Sequence, residues 1–176
     1  MQLKLKAWGL ACAFALLSYG VSGQCKGVKV QKDKFTGKVA KVAQLPIGNA
    51  LAGREVILQQ SDGKFYIGLR ITFNTDFPDV DFKKGDKVAF KLANGQIIEY
   101  TAAKDLKPTI IRVLDVPIRN WYVDNEVEAK VYEQLAASPV EAIQFRLNEN
   151  DQTLSDFKDK QTRKIMETAN CLLSNQ

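Results

Sequence analysis

The sequence predicts an α+β protein: a mainly antiparallel β-sheet or sandwich-like core with one short internal helix and a C-terminal helix. Three observations predict it. Two pairs of alternating apolar and polar segments flank Asp62-Gly63 and Asn94-Gly95, dipeptides that supply the positive φ angles of tight hairpin turns. Apolar residues recur with helical spacing at Val127, Val131 and Leu135. They recur again near one face through Leu154, Phe157, Ile165, Ala169 and Leu172. Strands come first and helices late, the order of an α+β chain.

Taken in order, Val28–Gln31 and part of Lys38–Ala43 alternate as short strands with lysine on the wet side. The stretch from Leu45 to Gly53 holds Pro46, Gly48 and Gly53 and reads as a loop. The first hairpin pairs Glu55–Gln60 with Lys64–Phe73, and the second pairs Lys87–Leu92 with Gln96–Ala102. Phe65, Ile67, Leu69, Ile71 and Phe73 mark one buried face, as do Val88, Phe90 and Leu92. A polar connector from Thr75 to Gly85 separates the hairpins. Thr109–Val113, β-branched and apolar, reads as a central strand, and Pro117 ends the short segment after it. Glu126–Ala137 reads as the internal helix, closed by Ser138-Pro139. Val140–Leu147 reads as a strand and Leu154–Leu173 as the last helix, capped by Thr153 or Ser155, with Gln161 interrupting its apolar face.

The chain's start sets its destination. Lys4 and Lys6 precede an apolar run from Leu10 to Val21, and small residues come next at Ser22 and Gly23. Basic start, short apolar run and small cleavage site together read as a secretory signal over residues 1–23, cut between Gly23 and Gln24. The run is about 12 residues, whereas a bilayer span needs about 20. The expectation is therefore an exported protein, periplasmic or secreted, with residues 24–176 as one globular domain.

Cys12 leaves with the signal, so Cys25 and Cys171 remain, one near each end. An even count in an exported chain reads as a disulfide. The alternatives are a lipid on Cys25, making an outer-membrane lipoprotein, or two free thiols. Lipid attachment fits less well, because Gln24 is too large for the position before a lipidated cysteine and no leucine heads the site.

Charge and composition narrow the function classes. The chain holds 25 Lys and Arg against 20 Asp and Glu, and removal of the signal leaves an excess of three. That is too small to argue for nucleic acid. Residues 24–54 carry seven basic side chains against Asp33 alone, an arm that suits an anionic glycan or lipid surface or a solvated strand face. Histidine is absent. That excludes Ser-His-Asp and Cys-His nucleophiles and His-ligated zinc or haem. No G-x-G-x-x-G or P-loop pattern occurs around Gly68, Gly85 or Gly95, and no cofactor is expected.

Three constellations remain as candidates. Asp76, Asp79 and Asp81 crowd one connector and could wrap Ca²⁺, although the EF-hand glycine and closing glutamate are missing; a solvated loop is the commoner role. Trp121-Tyr122, after Arg119, could form a stacking platform for a sugar or aromatic ligand, against the commoner role of completing a core. Glu99, Asp115, Asp124 and Glu141 are free carboxylates from which a glycosidase pair could be drawn, a choice that depends on spatial separation.

The layout resembles small uncharacterised exported proteins of Bacteroidetes-type bacteria. The likeness rests on a signal, a cysteine at the mature start, Asp-Lys-Phe-Thr-Gly (33–37), Gly-Lys-Phe-Tyr-Ile (63–67), Lys-Gly-Asp-Lys-Val (84–88) with Leu-Ala-Asn-Gly (92–95), and Ala-Asn-Cys-Leu (169–172). It implies export and a one-domain fold, and it brings no activity or functional residues. The leading expectation is an exported, non-enzymatic binding or structural module of the cell envelope. Its partner would be an envelope protein or an anionic glycan or lipid surface. A carboxylate-based glycan hydrolase and a membrane-surface-attached lipoprotein are the alternatives.

Overall fold

Ten strands and two helices arise from these patterns in a computed structural model that describes residues 25–49, 53–73, 80–147 and 149–174. In chain order they are β1 (Val28–Lys32), β2 (Val39–Ile47), β3 (Arg54–Ser61), β4 (Lys64–Phe73), β5 (Lys87–Leu92) and β6 (Ile97–Thr101). Then come β7 (Thr109–Val113), β8 (Val116–Val127), α1 (Ala129–Ala137), β9 (Val140–Leu147), β10 (Asn150–Leu154) and α2 (Asp159–Ser174). The α+β expectation holds, with a C-terminal helix and one short internal helix. The signal segment, including Gly23 and Gln24, lies outside the described residues.

The strands form two antiparallel sheets, ordered β1-β2-β3-β4-β8-β7 and β10-β9-β5-β6. Successive side chains of a strand point to opposite faces, so register decides what each face carries. In the larger sheet the rungs Ala43–Leu58–Ile67, Leu45–Val56–Leu69–Val123 and Ile71–Trp121 line one face and are buried. In the smaller sheet Val88, Phe90, Leu92, Ile98, Tyr100, Ile143 and Phe145 do the same. The two apolar faces meet where the Tyr100 hydroxyl donates to the Val123 carbonyl at 3.3 Å. Helix α2 turns Ile165, Thr168, Ala169 and Leu172 inward, at helical spacing, and packs on β2, β3 and α1. One continuous apolar cluster joins both sheets and both helices. Each fully buried large side chain in it contributes about 1.5–3 kcal/mol relative to exposure.

Helix α1 is pinned by an unusual contact. Tyr132 is fully buried, and its ring lies 4.6 Å from that of Phe65. Its hydroxyl accepts from the Gln59 N–H at 2.8 Å and donates to the Tyr66 carbonyl at 2.7 Å, within the β3–β4 pairing. A side chain from the helix thus completes the hydrogen bonding of two strand residues.

Several sequence expectations are corrected. Strand β2 runs on through Leu45-Pro46-Ile47, where the proline and glycines suggest a loop. Leu45 and Ile47 face the core, and Pro46 lies beyond Ala43, the last β2 residue that β1 reaches, so its missing N–H costs no bond on that side. Pro117 likewise sits inside β8, beyond Arg119, where β4 has ended and β7 is the remaining neighbour. Strand β7 is an edge strand with all five residues exposed, not a central one; a β-branched run reads the same in either place. Leu154 ends strand β10 instead of starting the last helix. The helix begins at Asp159, where the Gln161 amide oxygen accepts from the Lys158 N–H at 3.0 Å. The Gln161 amide nitrogen also donates to the Gly48 carbonyl at 2.9 Å, so the polar interruption ties α2 to the end of β2. Both hairpin turns form as expected: Asp62 and Gly63 adopt φ of 51° and 75°, and Gly95 adopts 85°.

Cys25, just before β1, is bonded to Cys171, in the last turns of α2. Their Cα atoms are 5.8 Å apart, inside the normal span of a disulfide. The bond closes a loop across a sequence separation of 146 residues and fastens the edge strand to the terminal helix. Replacing both cysteines by serine is expected to lower unfolding free energy by about 2–5 kcal/mol in urea titrations. Tyr132→Phe should cost about 1–3 kcal/mol by the same measurement, because the Gln59 N–H and Tyr66 carbonyl lose a buried partner.

Candidate functional site

The face of the larger sheet opposite the core carries the candidate site. Its rungs are Tyr122–Arg70–Glu55, Asp124–Gly68–Ile57–Gln44 and Glu126–Tyr66–Gln59. At the centre stands Gly68, without a side chain, in a strand bonded on both sides. A Cβ built there would come 2.7 Å from Cε2 of Tyr122, so the phenol ring lies against the Gly68 backbone. Glycine inside a strand weakens it, and one use of that sacrifice is to admit a close approach. Tyr122 nonetheless stays 40% exposed. Across the same rung from Gly68, Ile57 is only 4% exposed although it faces away from the core.

Polar groups flank the Tyr122 ring. Arg70 pairs with Glu55 at 2.8 Å, and Lys64 pairs with Glu126 at 2.9 Å. The Thr72 hydroxyl and the Asn120 amide oxygen are 2.6 Å apart on the next rung. Donors and acceptors therefore stand on several sides of the ring, with both charge signs present. Burial, with the Asp124 carboxylate adding to it, pushes the Tyr122 phenol up to about 12, while Arg70 pulls the other way. The ring is a neutral phenol at physiological pH. Burial also raises the phenols of Tyr100 and Tyr132.

Trp121 does not share this platform. It is fully buried, stands edge-on to Phe73 with ring centroids 5.8 Å apart, and donates its indole N–H to the Val80 carbonyl at 2.9 Å. Adjacent residues of a strand face opposite ways, so a consecutive aromatic pair on β8 divides between core and surface. The sequence signal that was missed is Gly68, which becomes informative only once register sets it beside Tyr122.

The four carboxylates are not brought together. Glu99 and Glu141 lie on the outer face of the smaller sheet, paired with Lys87 at 3.6 Å and Lys91 at 3.0 Å. Two strand spacings and three residues of rise separate their backbones by about 14 Å. Asp124 is on the outer face of the other sheet, and Asp115 is in the β7–β8 turn with φ of 64°. Glycosidase pairs instead hold carboxyl groups about 5–9.5 Å apart. Asp76 and Asp79 lie outside the described residues, while Asp81 pairs with Lys83 at 3.4 Å. Among the described residues no group of three His, Cys, Asp or Glu could hold a metal.

The basic arm is spread along β1, its turn and β2. Asp33 Oδ1 accepts from the N–H groups of Phe35 and Thr36 and from the Thr36 hydroxyl, which lowers its pKa and shapes the turn. Phe35 projects fully exposed from this turn, and Lys38 pairs with Asp62 at 2.6 Å. Lys26 joins Lys160, Arg163 and Lys164 of α2 around a groove beside the disulfide, where Asp159 and Glu167 temper the charge. Among the described residues no helix is long and apolar enough to cross a membrane. In comparisons with known proteins, no family model, curated protein or solved structure matches this chain.

The shifted phenols give a checkable titration. An unfolded tyrosine ionises near pH 10, so the stability lent by Tyr122 is complete below that pH and is lost as pH rises through about 12. Phenolate difference absorbance of the folded protein is expected to show Tyr122→Phe removing one ionisation near pH 12.

Proposed function

We propose that the chain is an exported, disulfide-closed binding module of the cell envelope, and that a neutral saccharide docks on Tyr122. The observation that carries this reading is the phenol of Tyr122 set against the Gly68 backbone while the residue stays 40% exposed. A sugar ring presents a patch of C–H groups that suits an aromatic face, while its hydroxyls need donors and acceptors at the rim. Glu55, Arg70 and Asn120 supply both kinds near the ring. Mixed rim charge favours a neutral ligand over a polyanion. A platform already held in place binds without first ordering a loop.

Export is supported by the basic, apolar and small-residue order of residues 1–23 and by the Cys25–Cys171 bond, which belongs in an oxidising compartment. The same bond occupies the Cys25 sulfur, which speaks against a lipid there. Dispersal of Glu99, Asp115, Asp124 and Glu141 over two sheets and a turn favours binding over hydrolysis.

The test is an NMR titration of the exported protein with cello-, chito-, malto- and xylo-oligosaccharides. The expected result is that one class shifts the amides of Gly68, Arg70 and Tyr122, that Tyr122→Ala abolishes the shifts, and that Tyr122→Phe keeps them. Shifts that survive Tyr122→Ala, or no shift from any class at millimolar ligand, overturn the reading.

A further inference from the structure

We propose that β7 pairs with β7 of a second copy, so that two larger sheets join edge to edge across a two-fold axis. An unpaired edge offers a row of backbone donors and acceptors, and proteins ordinarily blunt such edges with charge, shortness or cover. Among the described residues all four sheet edges carry charge: Lys29 and Lys32 on β1, Glu99 on β6, Asp151 on β10 and Arg112 on β7. What sets β7 apart is its apolar exposure, since β1 shows Val30 alone, β6 Ile97 alone and β10 no large exposed apolar side chain. Ile110, Ile111 and Val113 of β7 are about half exposed, and the exposed apolar run continues through Leu114 and Val116. Arg112 is the one charge in the strand.

The occupant is argued from register and charge. Antiparallel pairing about a perpendicular two-fold axis keeps each face of the sheet continuous, and it brings residues whose numbers share a constant sum into opposition. Centred on Ile111, it sets Ile111 against Ile111, Thr109 against Val113 and Ile110 against Arg112 of the second copy. Thr109, Ile111 and Val113 then form an unbroken β-branched strip on one face. On the other face each Arg112 lies along Ile110 of the second copy, its aliphatic stem covering an apolar side chain. Beyond the strand ends the same pairing leaves Lys107 on the side of the second copy's β7–β8 turn, which carries Asp115, twice by symmetry. A single strand thus supplies apolar matching at its middle and opposite charges at its ends.

Register-specific crosslinking tests this. Residues directly opposite in an antiparallel pair have Cα atoms about 4.5–5.5 Å apart, within disulfide reach. Ile111→Cys is expected to form an oxidised dimer, and Thr109→Cys with Val113→Cys should crosslink only when the two variants are mixed. Cys25 and Cys171 are already bonded to each other, so neither competes. Sedimentation velocity of the unmodified protein should show a concentration-dependent dimer that Ile111→Lys converts to monomer, with the fold retained by circular dichroism. A dimer untouched by Ile111→Lys overturns the proposal. So does a monomer at every concentration, or equal crosslinking of Thr109→Cys alone.

Discussion

The two-residue repeat of β4 governs the rest of the molecule. This strand is hydrogen-bonded to β3 on one side and β8 on the other, and it is long enough to span the larger sheet. Phe65, Ile67, Leu69 and Ile71 go to the core, while Tyr66, Gly68, Arg70 and Thr72 go to the opposite face. A slip of one residue would exchange the two sets, sending Arg70 inward and Ile71 to water. The core therefore specifies the outer face. The position of Tyr122 over Gly68 is held by Trp121 and Val123 on the far side of the same strand.

The chain ends are secured by a second set of ties. Helix α2 reaches the sheet through its apolar stripe, through Gln161 to the Gly48 carbonyl and through Cys171 to Cys25. These three contacts fall at different heights along the helix, so it cannot pivot about any one of them. Strand β1, by contrast, buries little of its own surface and owes its place to pairing with β2 and to the bond at its start. The turn of the Asn94-Gly95 hairpin is fastened in the same manner, since the Asn94 N–H donates to Ser138 Oγ and the Ala93 N–H to the Pro139 carbonyl.

How much of this was legible in the sequence depends on the range of the interaction. The Asp-Gly and Asn-Gly hairpins and the β4 alternation are local, and each formed where its pattern lay; the internal helix expected from Glu126 starts only at Ala129, because Glu126 and Val127 pair with β4 as the end of β8. Pro46 and Pro117 misled because proline excludes only an interior strand position, and which residues have two neighbours is a property of the whole sheet. Thr109–Val113 misled for the same reason: its composition suits an interior or an edge, and the partner count decides. The candidate site was half visible. Tyr122 stood out as an aromatic residue, but its neighbour Trp121 was joined to it by adjacency, when the pleat separates them. Gly68 lies 54 positions away and reveals nothing until β4 and β8 are in register.

The Cys25–Cys171 bond also has a temporal side. Synthesis runs from one end of the chain to the other, so Cys25 is among the first residues of the domain to emerge and Cys171 among the last. Every strand of both sheets is made before the second sulfur exists. Domains generally fold as units, and a thiolate attacks only what lies within reach, so Cys25 has no partner until almost the whole chain has been made. Packing of α2 on β2 and β3 is what holds the two sulfurs at bonding distance.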